Sequence, residues 1–347
     1  MLYRSQNPHG GDIYDGQIDL DFSANTNPFG TPEGILTAVS QALPQMHRYP
    51  DPYCRKLVGA LSEYEQVSEA QILCGNGAAE LIYSYCQAIR PETAVVLAPT
   101  FSEYALGLNT VGTVIEHYPL KQENGFLLTE EFLSWLQQHR TDAIFLCNPN
   151  NPTGNCIESG FLQQILSYTQ EQQIHLFVDE CFLDLCEGAE SLKPYLARNP
   201  QLFLLKAFTK SYGMAGIRLG YCLCSNPDTL SAMAQTVQPW NISSLAQAAG
   251  VAALEQRDFL EKTKALIHEE RLWLRQELQD LGFWVSESKT NYLLFSGPLG
   301  LDEALRKKRI AIRSCSNYVG LGDGWYRIAV RQHSENQQLM AAIRSCL

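Results

Sequence analysis

The chain of 347 residues contains no run of about 18 apolar residues, so we expect no transmembrane helix. Residues 1–11 lack the long apolar core of a secretory signal peptide, and we therefore expect a cytoplasmic protein. Low-complexity tracts are also missing, while hydrophobic residues make up 45% of the chain. This composition is typical of a folded protein, and the length suffices for one large domain and a smaller one.

Positive charge is scarce in this sequence. Lysine and arginine number 26 against 37 aspartates and glutamates, which gives a net charge of −11 at pH 7. Because nucleic acids and anionic membranes repel such a protein, we expect neither of them as a partner. The net charge is an average over the chain, so a local basic pocket for a small anion stays open.

Regular cysteine spacing is absent as well. The chain has 11 cysteines, an odd number. Neither Cys181 with Cys186 nor Cys222 with Cys224 combines with a second doublet into a pattern of metal ligands. We therefore predict no metal site and free thiols, which suit a reducing cytoplasm.

Short apolar runs alternate with amphipathic segments in the middle of the chain. Strands are predicted at residues 94–98, 143–147, 175–178 and 202–205, with helices such as 128–139 and 160–172 between them. This alternation predicts an α/β fold in which helices cover both faces of a mostly parallel sheet. Ligands of such sheets bind beyond the carboxyl ends of the strands.

The pattern changes near residue 240. A helical stretch at 243–281 is followed by strands near 291–295, 310–313 and 326–330, which predicts a smaller α+β domain. The predicted division is an N-terminal segment that packs on the small domain, a large domain and a small C-terminal domain, with bounds 1–44, 45–240 and 241–347.

Polar motifs follow the predicted strands of the large domain. The run CGNGAAE at 74–80 leads into an apolar helix, and its backbone N–H groups could hold an anion. The loop NPNNPTG at 148–154 fixes Asn151 in a tight turn. Asp179 comes directly after an apolar strand, where a plain helix N-cap is the alternative interpretation.

Lys210 and Arg218 form the last motif. A lysine that its surroundings keep deprotonated forms a Schiff base with an aldehyde, and the planar fork of arginine suits a phosphate. Taken alone, each motif has an ordinary structural explanation. Their order and spacing, with 28 positions from Asn151 to Asp179 and 31 from Asp179 to Lys210, resemble the fold type I superfamily of aminotransferase-like enzymes, which use pyridoxal 5′-phosphate (PLP).

This resemblance implies a large PLP-binding domain with a mixed, mostly parallel sheet and a role for each motif. Lys210 resembles the Schiff-base lysine and Asp179 the partner of the pyridine nitrogen. Asn151 resembles the residue that binds the ring oxygen, and Phe101 the aromatic residue that stacks on the ring. The residues that resemble the phosphate cup are Gly77, Ala78, Ala79, Thr209 and Arg218.

A narrower resemblance covers nearly the whole chain. The segments HGG from residue 9, DFSANTNPFG at 21–30, RYPD at 48–51 and IRSCSNYVGLGDGWYRIAVR at 312–331 resemble the threonine-phosphate decarboxylases of cobalamin synthesis. Members of that family convert L-threonine O-3-phosphate to (R)-1-amino-2-propanol O-2-phosphate with loss of CO2, an activity that the resemblance implies here.

The same resemblance implies how substrate and subunits would be arranged. Arg327 resembles the arginine that orients the substrate carboxylate, and Arg313, His9 and Asn25 resemble the group that binds the substrate phosphate; Asn151 also faces the substrate. Tyr49 resembles a tyrosine that reaches the cofactor phosphate of the neighbouring subunit, which implies a homodimer with shared sites.

Several alternatives stay open. Histidinol-phosphate aminotransferases share these segments, although Phe182 stands where aminotransferases usually have tyrosine and favours the decarboxylase. Serine phosphate competes as the substrate, because one methyl group discriminates by only about 1–3 kcal/mol. A non-catalytic PLP-binding regulator is disfavoured by the net charge. The donor of the proton to Cα is Lys210, water or the substrate phosphate.

One departure concerns the phosphate cup. Ala207 replaces a serine that many relatives have three residues before the Schiff-base lysine. We therefore expect a looser hold on the cofactor phosphate, unless Lys206 or water compensates.

Overall fold

A seven-stranded sheet forms the centre of the computed structural model, which describes residues 9–14 and 16–347. Its strands are β2 (Ile72–Gly75), β3 (Thr93–Ala98), β4 (Val114–Pro119), β5 (Ala143–Cys147), β6 (His175–Asp179), β7 (Leu202–Ala207) and β8 (Gly220–Cys224). They lie in the order β2-β8-β7-β6-β5-β3-β4, and β8 alone runs antiparallel to its neighbours. The strands from β5 to β8 are almost wholly buried, as expected for a sheet covered on both faces.

Helices cover this sheet and continue into the rest of the chain. They are α1 (Glu33–Ala42), α2 (Arg55–Glu65), α3 (Ala78–Ile89), α4 (Glu103–Asn109), α5 (Glu131–Leu136), α6 (Ser159–Glu171), α7 (Phe208–Ser211), α8 (Pro227–Thr236), α9 (Ser244–Leu254), α10 (Arg257–Asp280), α11 (Leu301–Lys307) and α12 (His333–Arg344). Two apolar clusters pack on opposite faces of the sheet. Within the described residues, none of these helices is both long and apolar enough to cross a membrane.

Two small sheets lie toward the C-terminus. One joins β11 (Arg313–Ser314), β12 (Trp325–Ala329) and β9 (Tyr292–Ser296) in that order, with antiparallel pairing. The other pairs β1 (Leu20–Asp21) with β10 (Ile310–Ala311) in parallel. A third apolar cluster, which includes Phe22 and side chains of α10, α11 and α12, packs around them. The predicted α/β fold with a second, smaller α+β unit is thereby confirmed.

Two predicted elements differ from the structure. The helical stretch 243–281 is two helices, because α9 ends at Leu254 and α10 begins at Arg257. The predicted strand 310–313 divides at Ile312, since the chain changes partners from β1 to β12 there. The α9 helix packs on α1 and α2, while β1 joins the small unit. The division at residues 44 and 240 stays a prediction, and residues 1–8 and 15 of the N-terminal segment lie outside the described residues.

Candidate active site

A cavity of about 210 Å³ opens beyond the carboxyl ends of β5, β6 and β7. It brings together twelve of the fourteen predicted site residues: His9, Asn25, Ala78, Ala79, Phe101, Asn151, Asp179, Thr209, Lys210, Arg218, Arg313 and Arg327. Parallel strands explain the convergence, because the segments that follow them leave the sheet at one edge. The small sheet contributes the last two arginines from the opposite side.

Asp179 is the last residue of β6, and its side chain is buried beneath the cavity. Its Oδ2 accepts a hydrogen bond from the Tyr104 hydroxyl at 2.7 Å, and Oδ1 accepts one from the backbone N–H of Cys181 at 2.8 Å. Burial raises the pKa of Asp179, although these two donors and the nearby Lys210 amine oppose the rise. A buried carboxylate held in place by two donors is suited to stabilising a cationic group in the cavity.

Lys210 lies one turn beyond the end of β7, in the short helix α7. Burial lowers the pKa of its amine to about 8, and the positive charges of Arg327 and Arg218 add to the effect. Its Nζ lies 5.6 Å from the centre of the Phe182 ring. A substantial part of the Lys210 amine is therefore neutral near pH 8, the state in which lysine acts as a nucleophile or proton acceptor.

The backbone at the start of α3 forms a cradle with Arg218. Gly77 precedes the helix with φ of +81°, and a Cβ atom there would lie 2.5 Å from Nη2 of Arg218. Arg218 itself has φ of +58°, a backbone conformation that residues other than glycine seldom adopt. The helix presents its first N–H groups beside this guanidinium, and both favour an anion. Gly77 does not line the cavity itself. Because it has no Cβ, the Arg218 guanidinium can lie against its backbone.

Lys206 does not complete this cradle. Its Nζ lies 3.4 Å from Glu180 and 3.6 Å from Glu65, on the face of the sheet opposite to Ala207. Neighbouring strand residues point to opposite faces, so Lys206 cannot reach the cavity when Ala207 lines it. Of the two compensations left open for Ala207, the one by Lys206 is therefore excluded.

Arg327 and Asn151 meet on the other side of the cavity. Nη1 of Arg327 donates to Oδ1 of Asn151 at 2.5 Å, and the Tyr318 hydroxyl donates to the same oxygen at 3.3 Å. Nη2 of Arg327 donates to the carbonyl of Ser23 at 2.8 Å. The Nε of Arg327 is buried and has no hydrogen-bond partner among residues 9–14 and 16–347, which leaves binding capacity for a ligand.

Three further predicted residues line the same cavity as this arginine. Arg313 lies directly opposite Arg327 in the β11–β12 pair, so that both side chains are on one face of the small sheet. Asn25 is buried, and its Oδ1 has no hydrogen-bond partner in the structure. His9 Nε2 lies 2.5 Å from Oε1 of Glu103, and the His9 ring centre is 5.4 Å from that of Phe101.

Tyr49 is the predicted residue that stands apart. Its side chain is 79% exposed, and its ring stacks on Trp240 at 4.6 Å between centres. Its position is therefore outside the cavity of its own chain.

Comparisons with known proteins agree with this architecture. Residues 17–343 match the family model of aminotransferase class I and II. The threonine-phosphate decarboxylase of Salmonella typhimurium is 35% identical over 351 residues, which cover 98% of this chain and 96% of that one. The adenosylcobalamin biosynthesis bifunctional protein CobDQ of Leptospira interrogans is 30% identical over 340 residues, which cover 93% of this chain and 38% of that longer protein.

A solved structure shows the same fold. The histidinol-phosphate aminotransferase from Clostridium acetobutylicum aligns with a TM-score of 0.87 at 27% identity, over 94% of this chain and 98% of that one. Because the family model and the relatives extend over nearly the whole chain, we conclude that this protein belongs to the aminotransferase class I and II family.

Proposed function

We propose that this protein is a PLP-dependent decarboxylase that converts L-threonine O-3-phosphate to (R)-1-amino-2-propanol O-2-phosphate in cobalamin biosynthesis. One observation carries the proposal: Arg313 and Arg327 stand opposite each other on one face of the small sheet and both line the cavity. Like charges placed across a strand pair repel, so this arrangement favours an occupant with more than one negative group. A phosphorylated amino acid has a carboxylate and a phosphate.

The residues of the large unit fit PLP. Arg218 and the start of α3 would hold its phosphate, and the Asp179 carboxylate would keep a proton on its ring nitrogen. Asn151 would face the ring oxygen, Phe101 the ring, and Lys210 Nζ would bind the aldehyde carbon. The bound cofactor supplies an electron sink for the bond that breaks at Cα.

The substrate would be held at both ends by residues of the small unit and the N-terminal segment. Arg327 binds the carboxylate through two nitrogen atoms. Its buried Nε is available, and its Nη1 exchanges the hydrogen bond to Asn151 for one to the carboxylate. Arg313, His9 and Asn25 bind the phosphate from the other side. Holding both ends fixes which bond of Cα stands perpendicular to the cofactor ring, and such orientation supplies much of the rate enhancement.

Lys210 is our choice for the proton donor to Cα after CO2 leaves. Its amine lies within the cavity, and with a pKa of about 8 it both gains and releases a proton near neutral pH. Phe182 offers no competing hydroxyl at this position.

Two assays test the proposed reaction. The purified protein with PLP is supplied with threonine phosphate and, in parallel, with serine phosphate, and CO2 and the amino alcohol phosphate are measured. We expect CO2 with threonine phosphate. Histidinol phosphate with 2-oxoglutarate forms the control, because the Clostridium relative is named for that amino donor. Glutamate formation without CO2 release from threonine phosphate would overturn the proposal.

We also propose that the protein is a cytoplasmic homodimer in which Tyr49 binds the cofactor phosphate in the active site of the partner subunit. Support comes from the exposed Tyr49–Trp240 stack, since two large aromatic rings on a surface are typical of a protein interface. Eleven free thiols suit a reducing compartment. Sedimentation of the PLP-loaded protein as a monomer at micromolar concentration would contradict the dimer.

A further inference from the structure

Two cysteines lie in contact on segments that follow the active-site loops. The Sγ atoms of Cys156 and Cys186 are 2.8 Å apart. Cys156 follows the loop that carries Asn151, and Cys186 follows the segment that carries Asp179 and Phe182. Cys156 is partly exposed in a groove lined also by Lys289, whereas Cys186 is buried. The pair thus offers one accessible thiol and one enclosed thiol in direct contact.

Cys156 differs chemically from the other thiols. The hydrogen bond from Cys186 lowers its pKa, and the charges of Lys289 and Arg271 act in the same direction against the effect of burial. Burial raises the pKa of enclosed cysteines such as Cys74 and Cys222. Because the thiolate is the nucleophile, Cys156 combines the two properties that make a cysteine reactive, accessibility and thiolate character.

Backbone hydrogen bonds keep the two cysteine-bearing segments close to each other. The N–H of Lys289 donates to the carbonyl of Gly154 at 2.9 Å, and the N–H of Glu187 donates to the carbonyl of Lys289 at 3.0 Å. One segment therefore fastens both cysteine-bearing loops. A disulfide bond has a length of about 2.0 Å, so the sulfur atoms at 2.8 Å need only a small approach to form one.

We propose that Cys156 and Cys186 are a redox modification site that hydrogen peroxide converts reversibly to a disulfide. The Cys156 thiolate attacks one peroxide oxygen, the O–O bond breaks, and hydroxide leaves. Sγ of Cys186 then attacks the oxidised sulfur, the S–O bond breaks, and the departing oxygen takes the Cys186 proton to form water. Two thiols lose two electrons and two protons in total, and one peroxide becomes two waters.

The test uses the PLP-loaded wild-type protein and needs no activity assay. The protein is treated with one equivalent of hydrogen peroxide, its remaining thiols are alkylated under denaturing conditions, and its proteolytic peptides are analysed by mass spectrometry. We expect a linked peptide pair that contains Cys156 and Cys186, loss of two alkylation sites, and recovery of both after reduction with dithiothreitol.

Variants sharpen the test. In Cys186→Ser the linked pair is lost and Cys156 carries sulfenic or sulfinic acid instead, because its resolving thiol is gone. The matched control is Cys346→Ser, which removes the other partly exposed cysteine and leaves the linked pair unchanged. Wild-type protein in which Cys156 and Cys186 stay fully alkylated while other cysteines are oxidised, or in which Cys156 goes to sulfinic acid, would overturn the proposal.

Discussion

At the scale of single residues, the amine of Lys210 has the clearest consequence. Its pKa is lowered to about 8 by burial and by the neighbouring arginines. Since only the neutral amine attacks an aldehyde, Lys210 should capture PLP faster as pH rises toward 8 and at a constant rate above it. We expect the rate to grow about tenfold per pH unit below pH 7, as for any group that loses one proton.

Stopped-flow absorbance with cofactor-free protein measures this rate. An apparent pKa near the ordinary lysine value of about 10.4 would contradict the environment that we describe. Lys210→Ala is the control, which should show no covalent capture at any pH.

A second prediction at this scale concerns Tyr104. Its hydroxyl is a hydrogen-bond donor to Asp179, and Tyr104→Phe removes the donor with little change of shape. A hydrogen bond to a buried charged group contributes about 1.5–3 kcal/mol, so we expect kcat for decarboxylation to fall about tenfold or more. Steady-state kinetics at saturating PLP provide the measurement.

Tyr85→Phe is the matched control for Tyr104→Phe. Tyr85 is equally buried and also packs against Phe145 and Phe177, but its hydroxyl has no hydrogen-bond partner within the described part of the chain. Its loss should leave kcat unchanged. Equal effects of the two substitutions would show that the Tyr104 hydroxyl has no special role toward Asp179.

Sequence reasoning identified Lys210 and Asp179 but assigned no role to Tyr104 or Tyr318. Asp179 ends β6 and Lys210 lies three residues beyond β7, so their placement is a local property of the chain. Tyr104 is 75 positions from Asp179, and Tyr318 is 167 positions from Asn151. Contacts of that range depend on how strands are ordered and how the small sheet docks, which no local pattern specifies.

At the scale of secondary structure elements, the proposed phosphate site at the start of α3 can be tested by substituting two glycines that have the same φ. Gly77 and Gly112 both have φ of +81°, but a Cβ would meet Arg218 at Gly77 and nothing within 4 Å at Gly112. Gly112→Ala should cost about 1 kcal/mol of stability through backbone strain. Gly77→Ala should cost more, because its φ of 81° with ψ of 164° is a conformation that only glycine adopts readily. Only Gly77→Ala should also weaken PLP binding, by about tenfold or more if one charge-assisted hydrogen bond to phosphate is lost.

Equilibrium titration with PLP, followed by fluorescence, compares the two variants. Equal dissociation constants for Gly77→Ala and Gly112→Ala would exclude Gly77 and Arg218 from the phosphate cradle.

The junction of β6 and β7 has a buried charge cluster formed by Lys206, Glu180 and Glu65. Although burial opposes it, the surrounding carboxylates raise the pKa of Lys206, which therefore stays charged. Lys206→Met leaves two buried carboxylates without this partner, so we expect about 3–5 kcal/mol lower free energy of unfolding. Lys264→Met removes a surface ion pair with Glu261 and should change the free energy of unfolding by under about 1 kcal/mol.

Urea denaturation of both lysine variants supplies the comparison. If Lys206→Met were as stable as Lys264→Met, the cluster would not contribute to holding β6 and β7.

Four strands of the large sheet, β3, β5, β6 and β7, could be predicted because each contains a continuous apolar run, whereas β2, β4 and β8 were not predicted. The break between α9 and α10 was not predicted either, since Glu255 and Gln256 are ordinary helix formers and neither glycine nor proline marks the site. The α9 helix packs on α1 and α2, whereas α10 packs on α12 and β9. Such a difference comes from tertiary structure and leaves no trace in local periodicity.

At the scale of the whole molecule, the proposed shared sites can be tested by mixing two inactive chains. If Tyr49 serves the partner's site, a heterodimer of Lys210→Ala with Tyr49→Ala contains one site with both residues intact. Co-expression with two different tags should then yield heterodimers with about half of the wild-type activity, because one of two independent sites is restored.

Homodimers of Tyr49→Ala and of Lys210→Ala, purified in parallel, are the controls. If the heterodimers are no more active than the Tyr49→Ala homodimer, Tyr49 does not contribute to the active site of the partner subunit.

The fold class could be predicted from sequence, because alternation of strands and helices restricts a chain to few architectures. The substrate could not be derived from the same pattern, since one scaffold serves several reactions. In the proposed function, Arg313 and Arg327 of the small sheet recognise the substrate, and their juxtaposition depends on the register of β11 and β12.

The two arginines on the small sheet differ in what their substitution would disturb. The groups assigned to the cofactor belong to the large unit, whereas Arg313 and Arg327 stand on two short strands that pack separately. Substitutions at Arg313 should therefore alter substrate recognition alone, whereas substitutions at Arg327 should also disturb Asn151 and the amine of Lys210, because Arg327 contacts the first and lowers the pKa of the second.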